Sequence, residues 1–393
     1  MRVLRAIALT AVLPTLAATP AQATPPPEIP VLTRTVSQVS GLNAKRKVSV
    51  VELTGAQIDA RALAVLDRDY PRDQQEYDQT LYRALGFLGP DEQLRPVLQA
   101  RVRGARGFYD PVARRLYVRR GTNVRRTVLH ELVRALEDQR FDLRRLASMR
   151  RGQRDATLAG NAAVEGSSRL FAAALGTSPG RTRLPSGPPI RRFLALEADQ
   201  TRTAALRFAT TLRAVGGNAA VHGALIRFPT TTSQILHVDA YLARREAAPI
   251  DLPTTLDGTT LERSDTFGEL DVLSLLAAND VPRPDVAAAG WAGGRTGLYR
   301  DPAGRALLAL VLRWETERDA LEWREAVQVY VNETFDAAEP GFPPVALCAG
   351  DLCWSLSRQI AFNRVGTLTA LVLGPSGSAT TALARTLVGA GTA

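Results

Sequence analysis

Apolar residues recur at two spacings along this chain, and the spacings divide it into elements. Residues 47–53, KVSVVEL, alternate as a half-buried strand does. Thr54 follows as an N-cap, and a helix is predicted from there to about Leu66. Tyr77, Leu81 and Leu85 stand four apart and predict a helix over 73–85, and a further helix fits 92–102. In GFYDPVARRLYV, 107–118, two short aromatic and β-branched runs flank an Asp-Pro turn, the pattern of a hairpin. Val128, Leu129, Leu132, Val133 and Leu136 then form one helical stripe, which puts His130 and Arg134 together on a neighbouring face. Asp155 to Leu175 is a helix containing Glu165, and residues 177–189 are a loop. Helices are predicted around 191–213, 219–226, 231–245 and 267–278, with an extended stretch at 248–258.

The last third changes character. RTGLYRD and ALLALVLRW read as strands, and 316–335 as a long helix. VALCAGDLCWSLS reads as a hairpin, TLTALVLG as an apolar strand and about 376–388 as a final helix. The Gly-rich WAGGRTG at 291–297 lacks the lysine of a phosphate loop and is read as a turn into the first of these strands. The fold class is therefore α+β: a mostly helical core with a short β-hairpin before the motif helix, plus a C-terminal α/β layer. The predicted division is a flexible lead-in at 24–46, a first domain at 47–250 and a C-terminal region at 251–393 packed on it.

Composition adds a compartment. Arg2 and Arg5 precede the short apolar run AIALTAVLPTLAA, and AQA at 21–23 fits a cleavage site. Residues 1–23 thus read as a signal peptide cut near Ala23, and the mature chain as secreted. No later apolar run is long enough to cross a bilayer. The two cysteines, Cys348 and Cys353, are expected to form a disulfide in that compartment. The formal net charge is +10, and Lys45 and Lys47 are the only lysines. That arginine excess reads first as compositional bias. Its sharper form is RFDLRRLASMRRGQR at 140–154, a basic run suited to anionic envelope polymers. Few aromatics lie among the arginines, so nucleic acid is not an expected partner.

The candidate chemistry sits in TVLHELVRALEDQRFDL, 127–143. In an HExxH helix, two histidines one turn apart clasp zinc and the adjacent glutamate activates the bound water. Here the run is His130, Glu131, Leu132, Val133, Arg134, and the next helix carries Glu165 in AAVEGSS.

From residue 47 onward the chain resembles a family of exported, HExxH-bearing neutral zinc metallopeptidase-like proteins found in actinobacteria. The matching pieces are GFYDPVARRLYV, VLHELVRALEDQRFDL, AAVEGSS, PTTTSQILHVDAYL, FGELDVLSLLAA and AAAGWAGGRTGLYRD. The resemblance implies a zincin-like core with His130 as first zinc ligand, Glu131 as catalytic base and Glu165 as third ligand. The second ligand position is Arg134, and the Gly-Asp that family members show after the glutamate is Gly166-Ser167 here.

Arginine stays protonated and cannot ligate zinc. A unit charge about 4 Å from another costs about 4 kcal/mol at an effective dielectric near 20, and a divalent ion feels roughly twice that. Arg134 either takes the metal's place and bridges Glu165, with Glu131 in reach, or turns to solvent and pairs with Asp138. His237 is either structural or a group that binds substrate, steadies an oxyanion or replaces a ligand. His222 reads as structural. Three functions are weighed. The preferred one is a degenerate, zinc-free homologue that binds peptides or an envelope partner and needs no cofactor. The second is a working zinc peptidase ligated by His130, Glu165 and His237 with Glu131 as base. The third is a basic envelope-associated protein using 140–154.

Overall fold

A computed structural model describes residues 28–146, 152–177, 187–256, 258–335, 352–355, 358–375 and 378–390. The expected signal peptide, residues 1–23, lies outside them, as does Cys348, while Cys353 is buried in a strand. The chain is a mixed α+β protein. No helix among the described residues is long and apolar enough to cross a membrane.

The first part runs α1 (Ile29–Ser40), β1 (Ser49–Leu53), α2 (Gly55–Asp69), α3 (Arg72–Ala84), α4 (Leu94–Val102), β2 (Gly107–Asp110), β3 (Arg115–Arg119), α5 (Val124–Phe141), α6 (Arg154–Ala173) and α7 (Pro189–Ile226). Two short helices, α8 (Thr232–Leu236) and α9 (Val238–Leu242), follow. The rest runs β4 (Thr255–Leu256), β5 (Thr259–Thr266), α10 (Glu269–Ala278), α11 (Pro284–Ala288), β6 (Trp291–Arg300), β7 (Ala306–Trp314), α12 (Glu317–Phe335), β8 (Leu352–Ser355), β9 (Gln359–Val365), β10 (Leu368–Gly374) and α13 (Ser378–Ala390).

Local chemistry accounts for several of these boundaries. Thr54 and Gln57 form a reciprocal capping box that starts α2. The side chain of Asp110 accepts from Val112 N at 3.0 Å and Ala113 N at 3.2 Å, which closes the β2–β3 hairpin. Gly216 and Gly217 break the helical geometry inside α7 at the place where the sequence separates two helices. The three-stranded sheet has the order β1-β3-β2, and the seven-stranded sheet the order β4-β5-β6-β7-β10-β9-β8 with antiparallel neighbours throughout.

Three expectations need correction. The lead-in at 24–46 contains α1, whose Ile29, Leu32 and Val36 are buried against the core that also holds the α5 stripe. WAGGRTG is not a turn but the body of β6. Its glycines are required by close approach: a Cβ on Gly293 would meet the Ala248 carbonyl oxygen at 2.5 Å, and one on Gly294 the Phe267 carbonyl oxygen at 2.2 Å. The helix expected at 231–245 is two, because His237 is extended between α8 and α9. The hairpin expected in VALCAGDLCWSLS falls largely outside the described residues, and its described part, β8, pairs with β9. The parts on either side of residue 250 pack on each other. Leu81, Leu85, Ile190 and Phe193 share one core with Leu276, Trp314 and Trp323.

A buried ion network ties the two parts. The Arg154 guanidinium donates to Glu197 Oε1 at 2.7 Å and Asp271 Oδ1 at 3.2 Å and lies 3.6 Å from Asp78 Oδ2. These carboxylates come from α7, α10 and α3. Arg154 was counted in the basic 140–154 run, but it is buried and serves the interior. Arg144 pairs with Asp142, and Arg145 donates to Leu225 O at 2.8 Å and stacks 4.6 Å over Phe228. Residues 147–151 of that run lie outside the described residues.

Helices α6 and α7 touch at Gly166, where an added Cβ would meet the Ala205 carbonyl oxygen at 2.1 Å. Backbone cannot swing aside as a flexible side-chain tip can. Gly166→Ala is therefore expected to cost about 2–3 kcal/mol, the upper part of the overpacking range, read as a lowered midpoint in urea denaturation. A variant as stable as the parent would show that the helices separate freely there.

Candidate functional site

The apolar stripe of α5 turns Val128, Leu129, Leu132, Val133 and Leu136 into the core. His130, Arg134 and Glu137, at i, i+4 and i+7, then line up facing α6. Across from them α6 presents Glu165, Ser167, Ser168 and Arg169.

Glu165 is the hub. Its Oε2 accepts a hydrogen bond from Arg134 Nη2 and lies 3.3 Å from His130 Nε2, and its Oε1 accepts from Arg169 Nε. Burial by itself raises the Glu165 pKa. The charge of Arg134, then His130 and Arg169, outweigh it and hold the carboxyl well below its ordinary range. Of the two orientations weighed for Arg134, the structure has the bridge to Glu165. Asp138 is occupied elsewhere, accepting from the Tyr109 hydroxyl at 2.7 Å and from Leu143 N at 2.9 Å. Arg134 Nε is buried and has no hydrogen-bond partner among the described residues.

Glu131 lies close enough for its charge to act on Arg134 and is bonded to the hairpin. Its Oε2 accepts the backbone N–H of Tyr109 on β2 at 2.9 Å. The hairpin thus anchors Glu131. Beside Arg134 lies a mainly apolar cleft of about 470 Å³, lined by Leu66, Phe108, Tyr109, Asn161 and Val164 among others.

Glu137 completes the α5 face and was not singled out from the sequence. It is fully buried, and burial pushes its carboxyl up to about 7 despite hydrogen bonds from Ser167 and the nearby charges of Arg134 and His130. Geometry points to the same protonation state. Ser168 Oγ is 2.7 Å from the Val164 carbonyl and 3.2 Å from Glu137 Oε2. A hydroxyl has one proton to give, and the nearer carbonyl takes it. The contact with Glu137 is then a hydrogen bond only if the carboxyl is the donor. Arg169 was also missed, although its spacing from Glu165 is that of a helical ion pair.

His237 does not join this group. Its Nε2 is 2.7 Å from Glu269 Oε1 on α10, and that bond holds its pKa above the ordinary imidazole value. Its partner is a carboxylate rather than backbone. His222 packs between Phe141 and Phe171, with ring centroids 5.6 and 5.9 Å away, and burial lowers its pKa.

A zinc ion needs at least three protein donors converging on one point. His130 Nε2 and Glu165 Oε2 lie 3.3 Å apart, a spacing two zinc donors could have, but Arg134 holds the same oxygen and His237 is bonded elsewhere. No three His, Cys, Asp or Glu among the described residues are placed to hold an ion. As they stand, these residues do not fit the metal that the HExxH pattern implies.

Comparison with known proteins reaches a different part of the chain. Residues 256–384 match a family described as a domain of unknown function, DUF8575. No curated protein and no solved structure matches the chain. The matched region runs from β4 into α13 and holds the seven-stranded sheet. It contains none of His130, Glu131, Arg134 and Glu165.

Proposed function

We propose that this protein is an exported, metallopeptidase-like binding protein with a zincin-derived core, in which an arginine has replaced the metal. The observation that carries the reading is the Arg134 guanidinium on Glu165, the carboxylate that the family resemblance makes a zinc ligand. A cation there stabilises the carboxylate as a metal would, but it activates no water. Glu131 is bonded to the hairpin backbone, and the side chain one turn from His130 is a cation that cannot ligate zinc. The cleft next to Arg134 keeps the apolar lining and the size that suit a peptide segment. Binding without hydrolysis is the function these features support.

The reading with His130, Glu165 and His237 on zinc requires His237 to leave Glu269 and Arg134 to leave Glu165, and no feature of the site favours that rearrangement. Zinc content of the purified protein, measured beside Arg134→His, tests the proposal. The parent is expected to be zinc-free and the variant to take zinc up.

A further inference from the structure

The larger of the two cavities at the foot of α6 lies away from His130 and Glu165. It measures about 620 Å³, and none of His130, Glu131, Arg134 and Glu165 lines it. Such volumes are typical of small-ligand sites, roughly 300–1,000 Å³. Its walls come from both parts of the chain: the start of α6, the segments 228–231 and 247–251, and strands β5 and β6. The strand residues fall inside the region matched by DUF8575.

Asp155 lines this cavity and is only 3% exposed. Its Oδ1 accepts from Thr232 N at 3.0 Å and Thr232 Oγ1 at 2.6 Å, while Oδ2 receives no hydrogen bond among the described residues. The carboxyl is held in place, because its backbone N–H donates to Thr266 Oγ1 at 2.9 Å and Gly268 packs against Oδ1. Burial raises its pKa to about 7, and Asp271 and Glu269 behind it add to the effect. A buried carboxyl without a counter-ion is what an incoming cation stabilises.

A cation faces the same space. Arg295 on β6 is the cross-strand partner of Thr266, so both side chains leave one face of the sheet. Arg295 Nη2 donates to Ser264 Oγ at 2.8 Å, and its Nε is buried without an acceptor among the described residues. The lining also includes Trp291, Phe228, Pro249 and Ile250. The Trp291 indole N–H is already given to Phe267 O at 3.1 Å, so the ring offers apolar surface only.

We propose that this cavity binds a small zwitterion with an apolar group, a free amino acid or a dipeptide, its ammonium on Asp155 and its carboxylate on Arg295. An anion alone leaves Asp155 without a counter-ion, and a cation alone meets Arg295. A zwitterion satisfies both charges, and its side chain meets the apolar lining.

Calorimetric titration of the full mature protein tests this with L-phenylalanine and the dipeptide Ala-Phe. Two controls each lack one charge: 3-phenylpropionate has no ammonium and phenethylamine no carboxylate. At least one zwitterion is expected to bind one-to-one, and each control more weakly by about tenfold or more. Asp155→Asn keeps the shape and is expected to weaken the zwitterion by about tenfold, as is Arg295→Gln. Ala247→Trp, at an exposed position on the cavity wall, is expected to block binding without disturbing a buried group. Absence of binding by both zwitterions overturns the proposal. So does equal affinity for 3-phenylpropionate, or undiminished binding by the folded Asp155→Asn or Ala247→Trp protein.

Discussion

Glu165→Gln is expected to lower stability by about 2–3 kcal/mol, a loss that a second substitution reverses. The carboxylate is the shared counter-ion of Arg134 and Arg169 and the neighbour of His130. Removing its charge leaves two guanidinium groups facing each other in a poorly hydrated place. Breaking a fully buried pair costs about 3–5 kcal/mol. The side chains here are 18% and 29% exposed for Glu165 and Arg134, so solvent screens part of that. In the Glu165→Gln background, Arg134→Met removes the uncompensated charge and is expected to restore most of the loss. Urea denaturation of the four proteins of this cycle gives the coupling. Additive effects would mean that Arg134 and Glu165 touch without depending on each other. The pH dependence has a definite sign. Glu165 titrates lower in the folded protein than in the unfolded chain, so its contribution is present above the ordinary carboxylate range and is lost as pH falls.

Glu137→Gln is expected to act in the opposite direction and to stabilise the protein at pH 8. The Glu137 carboxyl sits near 7 when folded against a model value of 4.5. A raised value means that stability is intact below the unfolded pKa and is lost as pH rises through 7. The gap corresponds to about 3 kcal/mol lost by pH 8. Glutamine keeps the two contacts the protonated acid makes, accepting from Ser167 and donating to Ser168, and cannot ionise. Parent and variant should match well below pH 4.5 and diverge progressively as pH rises from there through 7 in thermal unfolding. Parallel pH profiles would show that Glu137 is not the titrating group. Asp155, also raised to about 7, contributes a fall of the same sign that remains in the variant.

How much of this was legible in the sequence depended on whether the pattern was local. The α5 stripe exposed the HELVR face correctly, because five apolar positions at helical spacing leave little choice of orientation. The Arg134–Glu165 contact was one of two orientations weighed, reached by reading Glu165 as the third ligand position, with pairing to Asp138 as the other. Glu137 was not legible, because nothing along the chain marks an acid that will be buried; only the packing of α5 on α6 does that. The lead-in hid α1, although Ile29, Leu32 and Val36 already had helical spacing, since the prolines before them read as disorder. WAGGRTG misled for a related reason. Its glycines serve two backbone approaches from distant segments, which no local rule contains. His237 stood near the motif only in the resemblance; in three dimensions it answers to Glu269.

The central claim is that a guanidinium occupies the place of a metal ion, and elemental analysis speaks to it most directly. Mature parent protein and Arg134→His, each dialysed against a small excess of zinc and freed of unbound ion, are compared side by side. The parent should carry only traces of zinc, while Arg134→His, with a histidine restored opposite Glu165, should carry about one equivalent. One tightly held equivalent in the parent, retained through dialysis, would contradict the account.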